Sequence, residues 1–339
     1  MRCWTICFGT IKMSDWSDIQ GHIQIKQDLR QLLAEKRLPH ALLFTGMEGI
    51  GKKLTAQVLA KALFCGGENA PCGECVSCKA FAAGNHPDFY YLEPEGKAKN
   101  IKIEQIRQMQ SQIALSPYLA DKRVVVIDGA EYMNEAAANS LLKTLEEPTG
   151  DVVFILVTAN KDMLLPTILS RCMKIYFAPL GENEIAAIAK RQYNIDDAKA
   201  RMIARLSGGS MSKALSFVDE ESLKLNDSVW EFVFAAVTAE YIWRLSDELA
   251  AMDREKVMQW AGFLQIIVRD LLLIKAGADD SLLYNGNKKA ELDDLAARFS
   301  IGRLLYCQEL GENLALRLKS NADVKLMVQD FMLKWREPK

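Results

Sequence analysis

Net charge is nearly absent from this sequence: 42 Lys and Arg against 44 Asp and Glu leave −2 over 339 residues. No global field draws the chain to a polyanion such as nucleic acid. No apolar run approaches the roughly 20 residues of a membrane-spanning helix, so no membrane partner is expected. The first twelve residues hold one Arg and a short apolar patch that Lys12 ends, which is too short for a secretory leader. Met13-Ser14-Asp15-Trp16 reads as the more natural start. Residues 1–12 are therefore expected to be an over-extended reading frame without fixed structure. What is present in bulk is ordinary for a globular protein, half hydrophobic and a quarter charged, and the length suits two or three domains.

Against that background one stretch carries chemistry. Gly46-Met47-Glu48-Gly49-Ile50-Gly51-Lys52-Lys53 follows the apolar run Ala41–Phe44 and precedes a helical pattern, Leu54–Phe64. A buried strand, a glycine-rich turn and a helix start are the context of a phosphate-binding loop. The glycines let backbone N–H groups converge on an anion, the helix dipole adds to them, and Lys52 would reach the outer phosphates. The next position should be Ser or Thr, whose hydroxyl holds Mg²⁺. Here it is Lys53, which has only donors and cannot coordinate a cation.

A second missing feature lies downstream. The β-branched run Arg123–Ile127 ends in Asp128, the position that orients Mg²⁺ in phosphate-loop ATPases. In isolation any strand can end in Asp; the preceding loop favours the metal-orienting reading. Many such ATPases place a water-polarising Glu next, but here it is Gly129, and Glu131 reads as a surface or helix-start residue. The strand Val152–Val157 ends in Thr158-Ala159-Asn160, polar groups that would face the outer phosphate. Strands alternating with helices at 19–37, 54–64, 103–113 and 134–147 specify an α/β domain. Its mostly parallel sheet is covered on both faces, with the ligand edge at the strands' carboxyl ends.

Eight cysteines are present, and four of them, Cys65, Cys72, Cys75 and Cys78, cluster in a turn-rich insertion. Two successive two-residue gaps fit a tetrahedral Cys₄ zinc site, here read as structural. Other readings are unrelated buried thiols, a redox Cys-x-x-Cys that would leave two thiols without a task, and a nucleic-acid-binding knuckle. The flanks lack the basic and aromatic residues of the last. Thiols at metal-ligand spacing beside a nucleotide-type loop point to a reducing cytoplasm.

From about residue 223 the pattern is helical to the end, with Trp230, Val233, Val237, Trp260, Leu264, Ile267 and Leu271 periodic and most simply core. No catalytic constellation falls in this third, which suits a helical bundle or subunit interface.

Taken in order, Arg37-Leu38-Pro39-His40-Ala41, the Cys₄ insertion, Leu141-Leu142-Lys143-Thr144-Leu145-Glu146-Glu147-Pro148 and Ser170-Arg171-Cys172 resemble the clamp-loader branch of the AAA+ ATPases from about Met13 onward. Within it, the non-motor subunits of bacterial DNA polymerase III match best. The resemblance implies an AAA+ module over 13–178, a helical lid over 179–222 and a C-terminal helical collar over 223–339. It also implies partners: the delta and gamma/tau subunits, the sliding clamp and, through the complex, primed DNA. Three departures from the motor subunits stand out: Lys53, Gly129, and Ser212 where the lid motif Gly209–Leu215 should carry an arginine. They imply a degenerate nucleotide site (Gly46, Gly49, Gly51, Lys52, Lys53, Asp128, Thr158) with no ATP hydrolysis of its own. The chain would serve as a stator within the DNA-directed DNA polymerase holoenzyme. Arg171 is retained and is expected to reach a neighbouring subunit's ATP site. An active ATPase of the same fold and a zinc-dependent nucleic-acid adaptor are the alternatives.

Overall fold

The computed structural model describes residues 15–67, 69–96, 100–148, 150–193, 195, 197–218, 220–234, 238–318 and 323–336. The expected extension 1–12, the alternative start at Met13 and the core position Val237 lie outside the described residues. Two compact units emerge: residues up to Glu184 together with Gly209–Ser212, and Ile185–Gly208 together with Lys213 onward.

The first unit is an α/β layer structure. Its strands are β1 (Ala41–Thr45), β2 (Phe89–Leu92), β3 (Arg123–Asp128), β4 (Val152–Thr158) and β5 (Met173–Tyr176), in the order β2-β3-β4-β1-β5 with every neighbour parallel. Its helices are α1 (Ile23–Ala34), α2 (Lys52–Phe64), α3 (Val76–Ala82), α4 (Ile103–Ile113), α5 (Glu135–Glu146) and α6 (Pro166–Leu169). The strands are apolar on both sides because successive residues face opposite layers. Val125 and Ile127 join Ile106, Met109, Leu141 and Leu145, while Val124 and Val126 join Leu29, Ala56 and Leu59 on the other face. Register brings Thr45 beside Thr158, and Asp128 beside Val157. Three polar strand ends thus meet at one carboxyl edge, where the glycine loop also begins.

Helix α1 is shorter than its apolar pattern suggested. Gly21 and His22 both have left-handed backbone, φ 63° and 49°, so the helix begins only at Ile23. Ile19 is buried ahead of it, whereas Ile23 at the helix start is 63% exposed.

A buried carboxylate organises the loop before β3. Asp88 is fully buried. Its Oδ1 accepts from Tyr118 N (2.7 Å), and its Oδ2 from Leu119 N (2.7 Å) and Ala120 N (3.0 Å). Arg123 Nε lies 3.8 Å away. Burial alone would raise this carboxyl, but the three amide donors outweigh it and hold Asp88 below its ordinary value.

The second unit is helical throughout its described residues: most of α7 (Glu182–Tyr193), then α8 (Asp197–Leu206), most of α9 (Met211–Ser216), α10 (Glu220–Phe234), α11 (Ala239–Ala250), α12 (Arg254–Lys275), α13 (Lys289–Arg298), α14 (Ile301–Arg317) and α15 (Val324–Arg336), with turns between them. Trp230, Val233, Trp260, Leu264, Ile267 and Leu271 are core, as their periodicity predicted. Phe232 centres an aromatic cluster, 5.3 Å from both the Trp260 and the Trp335 rings.

Helix α12 corrects the expectation about apolar runs. Its 22 residues include an 18-residue window of mean hydropathy 1.5, long and apolar enough by composition to cross a membrane. Gln259, Gln265, Arg269 and Asp270 interrupt the run, so the sequence hides it. Half the window is buried inside the bundle. Asp270 is buried too, accepting from Tyr284 N (3.0 Å), Asn285 N (2.8 Å) and Asn285 Nδ2 (2.9 Å). These contacts make α12 the core helix of this unit.

Candidate nucleotide-type cradle, metal loop and surface arginine

The glycine loop keeps the phosphate-loop form, and its own packing maintains it. Gly46, Gly49 and Gly51 all have positive φ (151°, 79° and 100°), which side chains disfavour. A Cβ on Gly46 would lie 2.4 Å from Phe177 O, and one on Gly49 would lie 2.3 Å from Ser210 Oγ. Ser210 Oγ donates to Glu48 O (2.9 Å), Ser212 N donates to Gly49 O (3.1 Å), and His22 Nε2 donates to Ile50 O (2.8 Å). So the position expected to lack the lid arginine, Ser212, anchors the loop through its backbone.

Lys52 is buried and turns back into the loop, its Nζ donating to Gly46 O and Met47 O at 2.6 Å each. Burial lowers its pKa; the nearby Glu131, Asp128 and Glu48 oppose that fall. Lys53 points to the strand edge. Its ammonium lies 3.4 Å from Asp128 Oδ2 and 3.6 Å from Glu93 Oε2, and 4.8 Å from the centre of the Tyr91 ring. Tyr91 Oη donates to the same Asp128 oxygen at 2.6 Å, and burial followed by the Asp128 charge raises the phenol pKa. Asp128, the expected metal-orienting acid, is therefore occupied by a lysine and a tyrosine. These residues do not fit a nucleotide-bound Mg²⁺: the hydroxyl ligand is missing and the carboxylate faces an ammonium.

Thr158 is buried at the end of β4, its Oγ1 accepting from Asn160 N at 3.1 Å. Glu131 sits at a helix start, as read, and also reaches the end of β4. It lies in a short 3-10 turn, Ala130–Tyr132, and its Oε1 accepts from Ala159 N at 2.8 Å. Its other carboxylate oxygen is buried without a hydrogen-bond partner.

Arg171 lies between α6 and β5, a third exposed. Its guanidinium donates to Thr167 O (2.9 Å) and Ser170 Oγ (3.2 Å) and pairs with Glu146 at the end of α5. No acid adjacent in sequence offered itself as a partner; the fold supplies one from 25 residues away.

Cys65, Cys72, Cys75 and Cys78 do converge. Their four Sγ atoms all lie within 4.8 Å of one another. Backbone amides point at the sulfurs: Cys72 N to Cys65 Sγ (3.3 Å), Cys75 N to Cys72 Sγ (3.4 Å) and Cys78 N to Cys75 Sγ (3.4 Å). Such donors favour thiolates. The Cys75 amide is the foremost of those that bring exposed Cys72 down to about 6, whereas burial pushes the Cys78 thiol up to about 12. A soft, tetrahedral dication fits this donor set and would supply the charge that ionises all four.

The family model for the DNA polymerase III delta subunit matches residues 21–181. The delta' subunit of DNA polymerase III from Bacillus subtilis is 32% identical over 318 residues, covering 90% of this chain and 93% of that protein. The chain belongs to the delta' family of DNA polymerase III subunits. The tau subunit from Bacillus subtilis is 30% identical over 249 residues, 69% of this delta' chain but 43% of tau. Among solved structures, a gamma-subunit-related protein from Thermotoga maritima covers 91% of this chain and 98% of its own, at 17% identity and a TM-score of 0.43.

In this delta' chain the parallel sheet carries the glycine loop after β1 and the acid at the end of β3, the α/β arrangement that the motifs predicted. Glu93, Tyr91 and Glu146 are the site residues that motif reading missed. Only the pairing of β2 with β3 brings Tyr91 near Asp128, and only the placement of β5 brings Arg171 to α5.

Proposed function

We propose that the chain is a non-hydrolysing subunit of the bacterial clamp loader, helping to place the sliding clamp on primed DNA. Its partners would be the delta and gamma/tau subunits, in the cytoplasm, with one structural zinc held by Cys65, Cys72, Cys75 and Cys78. The observation that carries this reading is Lys53 against Asp128: the position that should hold Mg²⁺ carries an ammonium. Without the metal, charge developing on a transferring phosphoryl group goes unneutralised. Gly129 and Ser212 remove two further catalytic groups. The chain itself would work as a stator, with an AAA+ module over 13–178, a lid over 179–222 and a collar over 223–339.

Arg171 would act in trans. Its partial exposure lets the guanidinium exchange Glu146 for the phosphates of a neighbouring subunit's nucleotide, the role of an arginine finger. The test is a reconstituted clamp loader carrying Arg171→Ala. The variant should join the assembly normally yet slow DNA- and clamp-stimulated ATP hydrolysis several-fold, because one site among several loses a group worth roughly 10³–10⁵ in rate. Arg171→Lys should rescue poorly, since an ammonium lacks the planar fork. Hydrolysis and clamp loading at the parental rate would show the trans role to be wrong. Robust phosphate release by the lone wild-type chain, abolished by Lys52→Ala, would overturn the stator reading.

A further inference from the structure

We infer that Lys53 is a tethered cation that takes the place of the divalent ion, so that phosphate binding by this cradle, whatever its strength, gains nothing from Mg²⁺. The inference deepens the reading of the cradle as a retired nucleotide site and rests on it.

Three observations carry it. First, the Lys53 ammonium lies between two carboxylates of different elements, Asp128 at the end of β3 and Glu93 just after β2, at 3.4 and 3.6 Å. Two acids meeting at the edge of a phosphate loop are what an oxygen-seeking dication requires. Here one covalently attached charge serves both. Second, the ammonium stands over the face of Tyr91, and the Tyr91 hydroxyl donates to Asp128 Oδ2 at 2.6 Å. The ring face attracts a cation and the hydroxyl fixes the carboxylate, so the half-exposed lysine is held at this edge by the ring and two acids. Third, the loop itself needs no ligand to keep its form, because Lys52 is satisfied by Gly46 O and Met47 O and the glycines pack on Phe177 and Ser210.

A dication seated between Asp128 and Glu93 would meet the ammonium at contact range, where like charges repel even though solvent screens this half-exposed edge. The lysine also brings no lone pair to complete a coordination sphere. Removing it should therefore do two things together: release both carboxylates and, when the substitute is Ser, restore a hydroxyl ligand.

The experiment measures binding of a fluorescent ATP analogue to the zinc-loaded full chain by anisotropy, in Mg²⁺ and in a Mg²⁺-chelating buffer, alongside Mn²⁺ binding by water-proton relaxation. For the wild type, affinity should be no higher in Mg²⁺, and Mn²⁺ should add no protein-bound relaxation. Lys53→Ser and Lys53→Thr should bind the analogue tighter in Mg²⁺ by about tenfold or more. Each should hold one Mn²⁺ in its presence, and Asp128→Asn on the Lys53→Ser background should abolish both gains. Lys53→Met, which removes the charge without supplying a hydroxyl, should show a smaller Mg²⁺ gain than Lys53→Ser.

A wild-type chain that binds the analogue tighter with Mg²⁺ overturns the inference. So do folded Lys53→Ser and Lys53→Thr variants with no metal gain. These outcomes are separable from failure of the stator reading, which shows as ATP turnover by the lone wild-type chain, whereas this inference fails on metal-dependent binding without turnover.

Discussion

Helix α2 starts in one glycine-rich loop and ends in another, and the two ends are stabilised on opposite terms. At its start, the cradle is fixed by protein alone: Phe177 and Ser210 against the glycines, His22 on Ile50 O, Lys52 on two carbonyls. At its end, the cysteine loop is anchored by Trp16 Nε1 donating to Ala70 O (2.9 Å), yet of its four cysteines Cys72 is exposed and only Cys78 fully buried, and amides point at three of the sulfurs. A loop held by its own packing can lose its chemistry and keep its shape. Four converging thiols offer a donor set that a shared ion would organise. The cradle has its glycines without a hydroxyl metal ligand, whereas the cysteine loop has four converging donors.

The largest effect expected on that contrast is Cys75→Ser. It should lower metal from one zinc per chain to none by elemental analysis. Loss of a structural site withdraws on the order of 10 kcal/mol of binding free energy from the local fold. Residues 65–80 should become protease-sensitive while the sheet persists. Absence of zinc from wild-type protein purified without chelators would remove this half of the contrast.

A smaller effect concerns His86, whose ring stacks on Phe64, the last residue of α2, at 3.9 Å. Its Nδ1 accepts from Asp88 N at 3.2 Å, its Nε2 is buried without a partner, and burial lowers its pKa against the opposing Asp88 charge. A lowered histidine binds its proton less readily folded than unfolded, so stability falls as pH drops below about 6.5. The slope is at most about 1.4 kcal/mol per pH unit. His86→Phe should flatten the dependence of the denaturation midpoint between pH 8 and 5, measured on zinc-loaded protein. Parallel curves for variant and wild type would mean that His86 is not the group responsible.

The smallest effect should come from the cradle. Lys52→Met removes a buried ammonium whose hydrogen bonds are offset by its desolvation, so the unfolding free energy should shift by no more than about 1 kcal/mol. A loss several times larger would show that the cradle, too, depends on a charged keystone, and the contrast would collapse.

Elements with a strong local signature were legible in the sequence. The isoleucines of α4 set its limits at Ile103 and Ile113, the β-branched run set β3 at Arg123–Asp128, and both were read from pattern alone. Helix α2 begins two residues before its apolar pattern because the turn at Gly51 already leads into it. The cysteine spacing announced a cluster, and the four sulfurs converge. Illegible were the features created by strand order, since β2-β3-β4-β1-β5 is not sequential. Lys53 meets Glu93 and Tyr91 only through that order. The contact of Glu131 with Ala159 N appears only when the end of β4 is placed beside it. Asp88 looks like a turn residue until the loop 118–120 closes on it.

That loop has a consequence of its own. Tyr118 is 85% exposed, and a segment so open would ordinarily exchange its amide hydrogens with solvent at once. Here three consecutive amides are locked onto one buried carboxylate. Residues 118–120 should exchange on the timescale of the sheet beneath them, a surface rim with the protection of an interior.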